Sequence, residues 1–302
     1  IIPEILTSLL FFLSAMLLVL APAEVVFSGF HSTANWTVFG GLVIGAAVQI
    51  TGLGERIANA LAEAEGPDVR AEFADRFFEA LEDFKYLPAG RITAGAGTGR
   101  SVTLFNCFVM GTIPDSMDGI FDMLKEAALT MQQGGGIGYD FSTLRPKGAA
   151  VKGVGADASG PLTFMDVWDA MCRTIMSAGS RRGAMMAVMR CDHPDIESFV
   201  TMKQNLTKVT GANISVKISD DFMEAVENNE EFILHFPVGS KAPTISKHID
   251  AKKLWDTIVE SATQTAEPGL LMWGNIEKYL PAQAYADDGF KTICTNPCGE
   301  IP

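Results

Sequence analysis

The chain has 302 residues, of which 48% are hydrophobic and 20% are charged, and this balance excludes a disordered or collagen-like protein. Its 23 basic residues against 36 acidic ones give a formal net charge of -13. This argues against broad, sequence-independent binding to nucleic acid, because such binding needs a basic surface. Five cysteines in a chain of this length do not form a secreted disulfide framework, so we expect reduced cytosolic thiols, some of them reactive.

The amino-terminal part of the chain is strongly apolar. Residues 1–54 contain no Lys or Arg and only two acidic residues. Two uncharged runs, residues 5–23 and 25–54, are each long enough to cross a bilayer, since about 20 apolar helical residues span its hydrocarbon core. We therefore expect two hydrophobic, transmembrane-like helices within residues 1–60. No basic stretch precedes the first run, which argues against a secretory signal peptide.

From about residue 62 onward, helical and strand-like stretches alternate. Apolar residues recurring at intervals of three and four predict helices at 63–87, 117–133, 161–177, 220–228, 251–265 and 276–284. Short β-branched or apolar runs predict strands at 102–110, 136–141, 184–189, 213–218, 232–236 and 270–273. Asp115 or Ser116 is predicted to cap the second helix. Strands separated by helices indicate crossover connections and a largely parallel sheet or barrel, with functional residues on the loops after strands.

The motif with most chemical content lies at residues 296–300, which read Asn-Pro-Cys-Gly-Glu. In an extended loop alternate side chains point the same way, so Asn296, Cys298 and Glu300 would face one side. An amide and a carboxylate can hold a diol by hydrogen bonds, and a thiol between them can react with it. The alternative reading is a surface turn with an incidental cysteine. The chain stops at Pro302 directly after this motif and begins with Ile1, which is typical of a cut fragment.

Three upstream features bear on this motif. Cys107 lies in a strand-like run, where a structural buried thiol is the ordinary interpretation. Residues 134–138 contain four glycines but lack the lysine of a phosphate loop, so they are not interpreted as one. The glycines suggest instead that backbone lies close against a ligand or another strand. Arg181 and Arg182 precede a predicted strand and suit nucleotide phosphates, although adjacent arginines are often only solvated.

Taken in order, these strings resemble the catalytic subunit of ribonucleotide reductase over about residues 62–302. The similarity is greatest to the adenosylcobalamin-dependent (class II) branch, although the large subunit of the di-iron (class I) branch shares the core. The matching strings are residues 87–91, 106–109, 134–138, 180–186, 193–196 and 296–300. The resemblance implies an α/β fold, a truncated part of the ten-stranded reductase barrel with a helical region before it.

The resemblance also implies a chemistry. Cys298 would become a thiyl radical when the cobalt–carbon bond of adenosylcobalamin breaks, and would remove the 3′-hydrogen of the ribose. Glu300 would accept the 3′-hydroxyl proton, and Asn296 would hydrogen-bond the ribose hydroxyls. Cys107 would protonate the departing 2′-hydroxyl and end in a disulfide with a second cysteine, which the family places shortly after the motif, beyond Pro302. The other three cysteines are interpreted as packing residues.

Further sites and partners follow from the same resemblance. The substrate would be a ribonucleoside di- or triphosphate, the effectors dNTPs or ATP, the reductant of the thioredoxin type, and the parent enzyme a cytoplasmic homodimer. No nucleic acid partner is expected, and the four histidines lack zinc spacing, so no metal site is expected. Substrate contacts are implied for Thr93, Asn106, Gly135 and Gly136. Effector contacts are implied for Asp115, Ser116, Arg145, Arg181 and Arg182.

The segment at residues 24–56 resembles a different family, the divalent anion:sodium symporters, through a Ser-Gly-Phe turn and an apolar stretch ending near Thr-Gly-Leu. We expect three parts: a membrane-type segment at 1–60, a helical region at 61–100 and a partial barrel at 101–302. The first functional hypothesis is a reductase fragment, the second a membrane anion transporter fragment carrying a soluble tail, and the third an inactive chimera. Membrane contact through residues 1–60 is expected if that segment is genuine.

Overall fold

The computed structural model describes residues 73, 76–151, 153, 155–177 and 181–302. The chain divides into two units between Gly99 and Arg100. The hydrophobic helices expected within residues 1–60 lie outside the described residues. Within the described part of the chain, no helix is long and apolar enough to cross a bilayer.

In the first unit, helical residues 76–81 lead into a 3₁₀ turn at Glu82–Phe84 and then into helix α1 (Gly90–Gly95). The sequence predicts one helix through residue 87, but the helix ends earlier because Asp83 has a left-handed φ of 54°. Helix α1 is not predicted by the sequence, since only six residues form it.

The described residues of the second unit form nine short strands. They are β1 (Cys107–Val109), β2 (Gly136–Asp140), β3 (Met176–Ser177), β4 (Arg181–Arg182), β5 (Met185–Arg190), β6 (Ala212–Ile218), β7 (Glu231–Phe236), β8 (Ile245–Asp250) and β9 (Gly269–Met272). The main sheet has the order β1-β2-β5-β6-β9, and every neighbouring pair in it is parallel. The pairs β3–β4 and β7–β8 are antiparallel.

In the same described part of the chain, six α-helices accompany these strands. They are α2 (Met117–Gln132), α3 (Pro161–Thr174), α4 (Ile196–Thr201), α5 (Asp220–Asn228), α6 (Ala251–Thr265) and α7 (Trp273–Tyr279). Ser116 caps α2, because its hydroxyl accepts a hydrogen bond from the amide of Gly119 at 3.1 Å. Helices between parallel strands confirm the α/β class predicted from the sequence.

Strand β2 has two different faces. Ile137 and Tyr139 are fully buried, and the Tyr139 ring meets Trp168 of α3 edge-on at 5.9 Å between centroids. The Tyr139 hydroxyl donates to the carbonyl of Met123 in α2. Because side chains alternate along a strand, Gly136 and Gly138 lie on the opposite face, whose one side chain is that of Asp140 at the end of the strand. The strand therefore buries its large residues against helices and leaves the other face open to close approach.

The β7–β8 pair is joined to the main sheet through the turn after β5. The amide of His235 in β7 donates to the carbonyl of Asp192 at 2.7 Å. The Asp192 carboxylate in turn accepts two hydrogen bonds from Arg190, at 2.8 and 2.7 Å. Strand β8 escapes sequence prediction because most of its side chains are polar and exposed.

His193 is a buried histidine that fixes this same turn. Its Nδ1 accepts from the amide of Asp195 at 3.0 Å, so Nε2 carries the proton and donates to the carbonyl of Leu144 at 2.9 Å. Burial lowers the pKa of His193 below its ordinary 6.5. The native protein therefore holds this ring neutral, whereas the unfolded chain protonates it below pH 6.5.

We expect the free energy of unfolding to fall as the pH drops below about 6.5, by up to ~1.4 kcal/mol per pH unit from this residue, because only the unfolded state takes up the proton. Urea unfolding between pH 7 and 5.5 measures the slope. His193→Gln removes the titrating ring and should flatten it. An unchanged slope in the variant would contradict this assignment.

Candidate active site

The last residues of the chain lie across the open face of β2. A Cβ atom added at Gly138 would lie 1.8 Å from the carbonyl oxygen of Thr295, and one added at Gly136 would lie 2.9 Å from Pro297 Cγ and 3.3 Å from Cys107 Sγ. No side chain larger than hydrogen fits there without displacing this backbone. The sequence predicts that the glycine string lies close against a ligand or another strand, and in the structure it lies against a stretch of the same chain that is not a strand. We call residues 293–302 the terminal segment.

The terminal segment is folded into a turn, whereas the sequence analysis assumed an extended loop. The amides of Gly299 and Asn296 donate to the carbonyls of Asn296 and Ile301 at 3.1 and 3.0 Å. Gly299 has a φ of +82°, which an L side chain rarely adopts. Asn213 of β6 ties the turn to the sheet through the carbonyl of Pro297 at 3.2 Å.

Within this arrangement, two thiols and a carboxylate converge. The sulfur atoms of Cys107 and Cys298 and a carboxylate oxygen of Glu300 all lie within 4.8 Å of one another. Cys107 pairs with Gly136 in the parallel ladder between β1 and β2, which brings it beneath the terminal segment. Cys107 is half-buried, and Cys298 and Glu300 are exposed.

Asn296 adds a buried amide beside this group. Its Oδ1 accepts a hydrogen bond from the amide of Ile301 at 3.0 Å. Its Nδ2 is buried and finds no oxygen or nitrogen acceptor among the described residues; its neighbour is the sulfur of Cys107. An unsatisfied buried donor is costly, so this N–H is available to a ligand that offers an acceptor.

The site keeps one of its thiols protonated. Burial raises the pKa of Cys107, and negative charge on Cys298 and Glu300 raises it further. The nearby Asn296 side chain acts in the opposite direction by favouring the thiolate. Because the net pKa shift is upward, the Cys107 sulfur carries a proton at neutral pH and can donate it.

The same three atoms are also potential metal ligands. Two thiolates and a carboxylate suit a thiophilic ion such as Zn²⁺. Among the residues that the structure describes, one group of three or more His, Cys, Asp or Glu side chains has its ligand atoms close enough to share an ion, and it is this group. The residues that could bind an ion are therefore the residues that could act on a substrate.

A second group expected to bind a ligand is also brought together by the fold. Arg145 and Asp115 form an ion pair with 2.9 Å between Nε and Oδ2, and the Arg145 amide donates to the same carboxylate. Both residues and Ser116 line a cavity of about 370 Å³. Arg181 and Arg182 form strand β4, on the loop that leads into β5.

The expected substrate residues divide between the two units. Gly135 and Gly136 lie at the start of β2, and the carbonyl of Asn106 accepts from the amide of Gly136 at 2.8 Å. These three residues are therefore neighbours of Cys107 in the sheet. Thr93 belongs to α1 of the first unit, where its hydroxyl donates to the carbonyls of Ala89 and Pro88 at 3.4 and 3.5 Å.

Two charged residues behind the terminal segment are not predicted by the sequence. Lys217 of β6 and Asp140 of β2 are paired at 2.7 Å, with side-chain exposures of 7% and 14%. A lysine within the apolar run of β6 was the signal that could have revealed them, because an unpaired charge is not tolerated in a buried strand.

Comparison with known proteins matches three segments of the chain to described families. Residues 105–302 match "Ribonucleotide reductase, barrel domain", residues 51–101 match "Ribonucleotide reductase, all-alpha domain", and residues 2–70 match "Sodium:sulfate symporter transmembrane region". The last match confirms the resemblance of the amino-terminal segment to anion transporters.

Individual relatives point the same way. The chain is 37% identical over 76% of its length to a vitamin B12-dependent ribonucleoside-diphosphate reductase of Thermoplasma acidophilum, of which it covers 29%. It is 36% identical over 82% of its length to the corresponding protein of Mycobacterium tuberculosis H37Rv, covering 34% of that protein. A vitamin B12-dependent ribonucleotide reductase of Streptomyces clavuligerus is 31% identical over 68% of the chain. The chain thus spans about a quarter to a third of the length of these relatives.

We expect Gly138→Ala to destabilise the second unit by about 1–3 kcal/mol, because its methyl group would overlap the Thr295 carbonyl. Urea unfolding measures the change. Gly111→Ala is the matched control, since its methyl would meet only Met123 Sδ at an ordinary 3.7 Å. Equal stabilities of the two variants would show that the terminal segment does not rest on β2.

We also expect Glu300→Gln to lower the pKa of Cys107, because one of the charges that raises it is removed. The pH dependence of iodoacetamide labelling at Cys107, followed by mass spectrometry, measures the shift. Cys172 and Cys294 serve as internal controls, since burial raises the pKa of each to about 12 and should keep both unlabelled. A Cys107 profile that is the same in both proteins would contradict this electrostatic account.

Proposed function

Because the chain belongs to the ribonucleotide reductase family, we propose that it carries the reaction centre of a vitamin B12-dependent enzyme that reduces ribonucleotides to 2′-deoxyribonucleotides. The observation that supports this most directly is the convergence of Cys107, Cys298 and Glu300 beside the buried amide of Asn296. A ribose presents a 3′-hydrogen, a 3′-hydroxyl and a 2′-hydroxyl. Cys298 is suited to the first, Glu300 to the second and Cys107 to the third.

The exposed Cys298 sulfur is the group that a radical can reach from outside the site. Adenosylcobalamin, when bound, supplies a carbon-centred radical by homolysis of its cobalt–carbon bond. Loss of a hydrogen atom then leaves a thiyl on Cys298, which abstracts the 3′-hydrogen of the ribose and becomes a thiol again. This assignment rests on the exposure of the Cys298 sulfur and on its place beside Cys107 and Glu300.

The remaining groups transfer protons or donate hydrogen bonds. Glu300 takes the proton of the 3′-hydroxyl as general base, and Asn296 Nδ2 donates a hydrogen bond to a ribose oxygen. Cys107, whose pKa is raised by burial, gives its proton to the 2′-hydroxyl so that it leaves as water. The balance is one ribonucleotide and two thiols giving one deoxyribonucleotide, one water and one disulfide.

The electrons come from the thiol pair. One member is Cys107, and the second is the cysteine that the family places after the Asn-x-Cys-x-Glu motif. After the 3′-hydrogen returns from Cys298, the disulfide is reduced by an external dithiol of the thioredoxin type. Cys298 is regenerated in each cycle and is not consumed.

The cavity at Asp115, Ser116 and Arg145 is proposed as the effector site for a deoxynucleoside triphosphate. Its arginine offers the guanidinium that phosphate recognition requires. In the family's complete protein, the five parallel strands would form half of a ten-stranded barrel, and the active enzyme would be a homodimer.

The test is ribonucleotide reduction by the chain extended past Pro302, with and without adenosylcobalamin. Cys298→Ser should abolish turnover while nucleotide binding persists, because serine cannot form the radical. Glu300→Gln should lower kcat by roughly 10²–10⁴-fold, as removal of a general base does. Turnover by Cys298→Ser would overturn the proposed function.

A further inference from the structure

We propose that Lys217 is a positioning residue, which holds the terminal segment in register so that Cys298 faces Cys107. This inference rests on the proposed function for its importance, but its structural content can be tested separately. Lys217 lies on β6, outside the group of residues that contact the substrate in the reaction described above.

The surroundings of Lys217 are fixed on three sides. Its Nζ forms an ion pair with Asp140 at the carboxyl end of β2, at 2.7 Å. It also donates to the backbone carbonyl of Ile293, the first residue of the terminal segment. On its third side it stands 3.8 Å from the centroid of the Trp273 ring. One buried cation therefore joins two strands, the start of α7 and the terminal segment.

The chemistry of this contact suits a positioning role. An ammonium group has three donors and no acceptor, so it can hold a carboxylate and a carbonyl at once. Because the group is buried, water does not replace these partners, and loss of the lysine would leave Asp140 without its counter-charge. Ile293 is five residues before Cys298, and the turn between them is closed by its own hydrogen bonds. Displacement of the Ile293 carbonyl is therefore passed on to the thiol.

The chain offers a matched control in Lys203. Its Nζ donates to the carbonyls of Val209 and Ala212 at 2.7 and 2.6 Å and pairs with Glu267 at 3.0 Å. Like Lys217, it is largely buried and holds backbone carbonyls together with one carboxylate. Its partners, however, lie around the amino end of β6 and do not include the terminal segment.

The experiment measures how fast Cys107 and Cys298 are cross-linked by diamide in the 302-residue chain. The two thiols lose two protons and two electrons, which reduce diamide to its hydrazine, and mass spectrometry of proteolytic peptides quantifies the disulfide. Cross-linking reports the proximity of the sulfurs and needs neither substrate nor cofactor. The cross-linking rate can therefore be interpreted even if the reductase assay fails.

We expect Lys217→Met to slow cross-linking by about tenfold or more, because a misplaced segment lowers the effective concentration of one thiol near the other. Lys203→Met should cross-link at the wild-type rate. The double variant Lys217→Met/Asp140→Asn also removes the carboxylate that Lys217→Met leaves without a counter-charge, so it should fold. It does not restore the contact with the Ile293 carbonyl, so its cross-linking should remain slow. Circular dichroism confirms that each variant is folded at the temperature used.

Two results would overturn the proposal. One is wild-type cross-linking in the folded double variant, which would show that the terminal segment keeps its place without Lys217. The other is equal slowing by Lys203→Met, which would mean that any loss of a buried lysine loosens the unit. In the extended, active protein, Lys217→Met should lower kcat while nucleotide binding is retained.

Discussion

The close contact between the main chain at Thr295 and Gly138 is the constraint on which the site depends. It exists because β2 buries large side chains on one face and has glycines on the other. The helices hold the first face, so the strand cannot move away from the terminal segment. As a result, backbone against backbone limits the terminal segment at Thr295, in addition to the contact between Lys217 and the Ile293 carbonyl.

This arrangement explains how residues far apart in sequence meet at one site. Cys107 comes from the edge strand β1, while Asn296, Cys298 and Glu300 come from a turn almost 200 residues later. The parallel register between β1 and β2 aligns the first thiol with Gly136, and the turn delivers the second above it. The two thiols then differ in environment, one half-buried and protonated, the other exposed.

Much of the fold could be predicted from local sequence patterns. The bounds of α5 and α6 coincide with the predicted helices, because each has a strong apolar periodicity and a capping residue, Ser219 or Asp250, before it. Strand β1 is much shorter than its apolar run suggests, since only three of those residues find a partner strand. Strand β8 pairs through its backbone, so its side chains carry little signal.

The structure brings Cys298 and Glu300 to Cys107, and the chemical roles of these residues stay a prediction. The predicted extended loop is wrong, because Gly299 permits a turn that hydrogen bonds within the segment then close. The pairing of Lys217 with Asp140 joins residues 77 positions apart, and no local pattern predicts such a contact. Long-range pairing of single residues is the part that only the folded structure supplies.

The unsatisfied amide of Asn296 has a consequence for inhibitor design. A compound that places an oxygen lone pair against Nδ2 offers this donor a stronger acceptor than the Cys107 sulfur beside it. The net gain from one such hydrogen bond, about 0.5–1.5 kcal/mol, corresponds to roughly 2- to 13-fold in dissociation constant. An isosteric hydrocarbon would fill the same space without making this hydrogen bond. The ratio of the dissociation constants of matched ether and methylene analogues would therefore measure the contribution of Nδ2 directly.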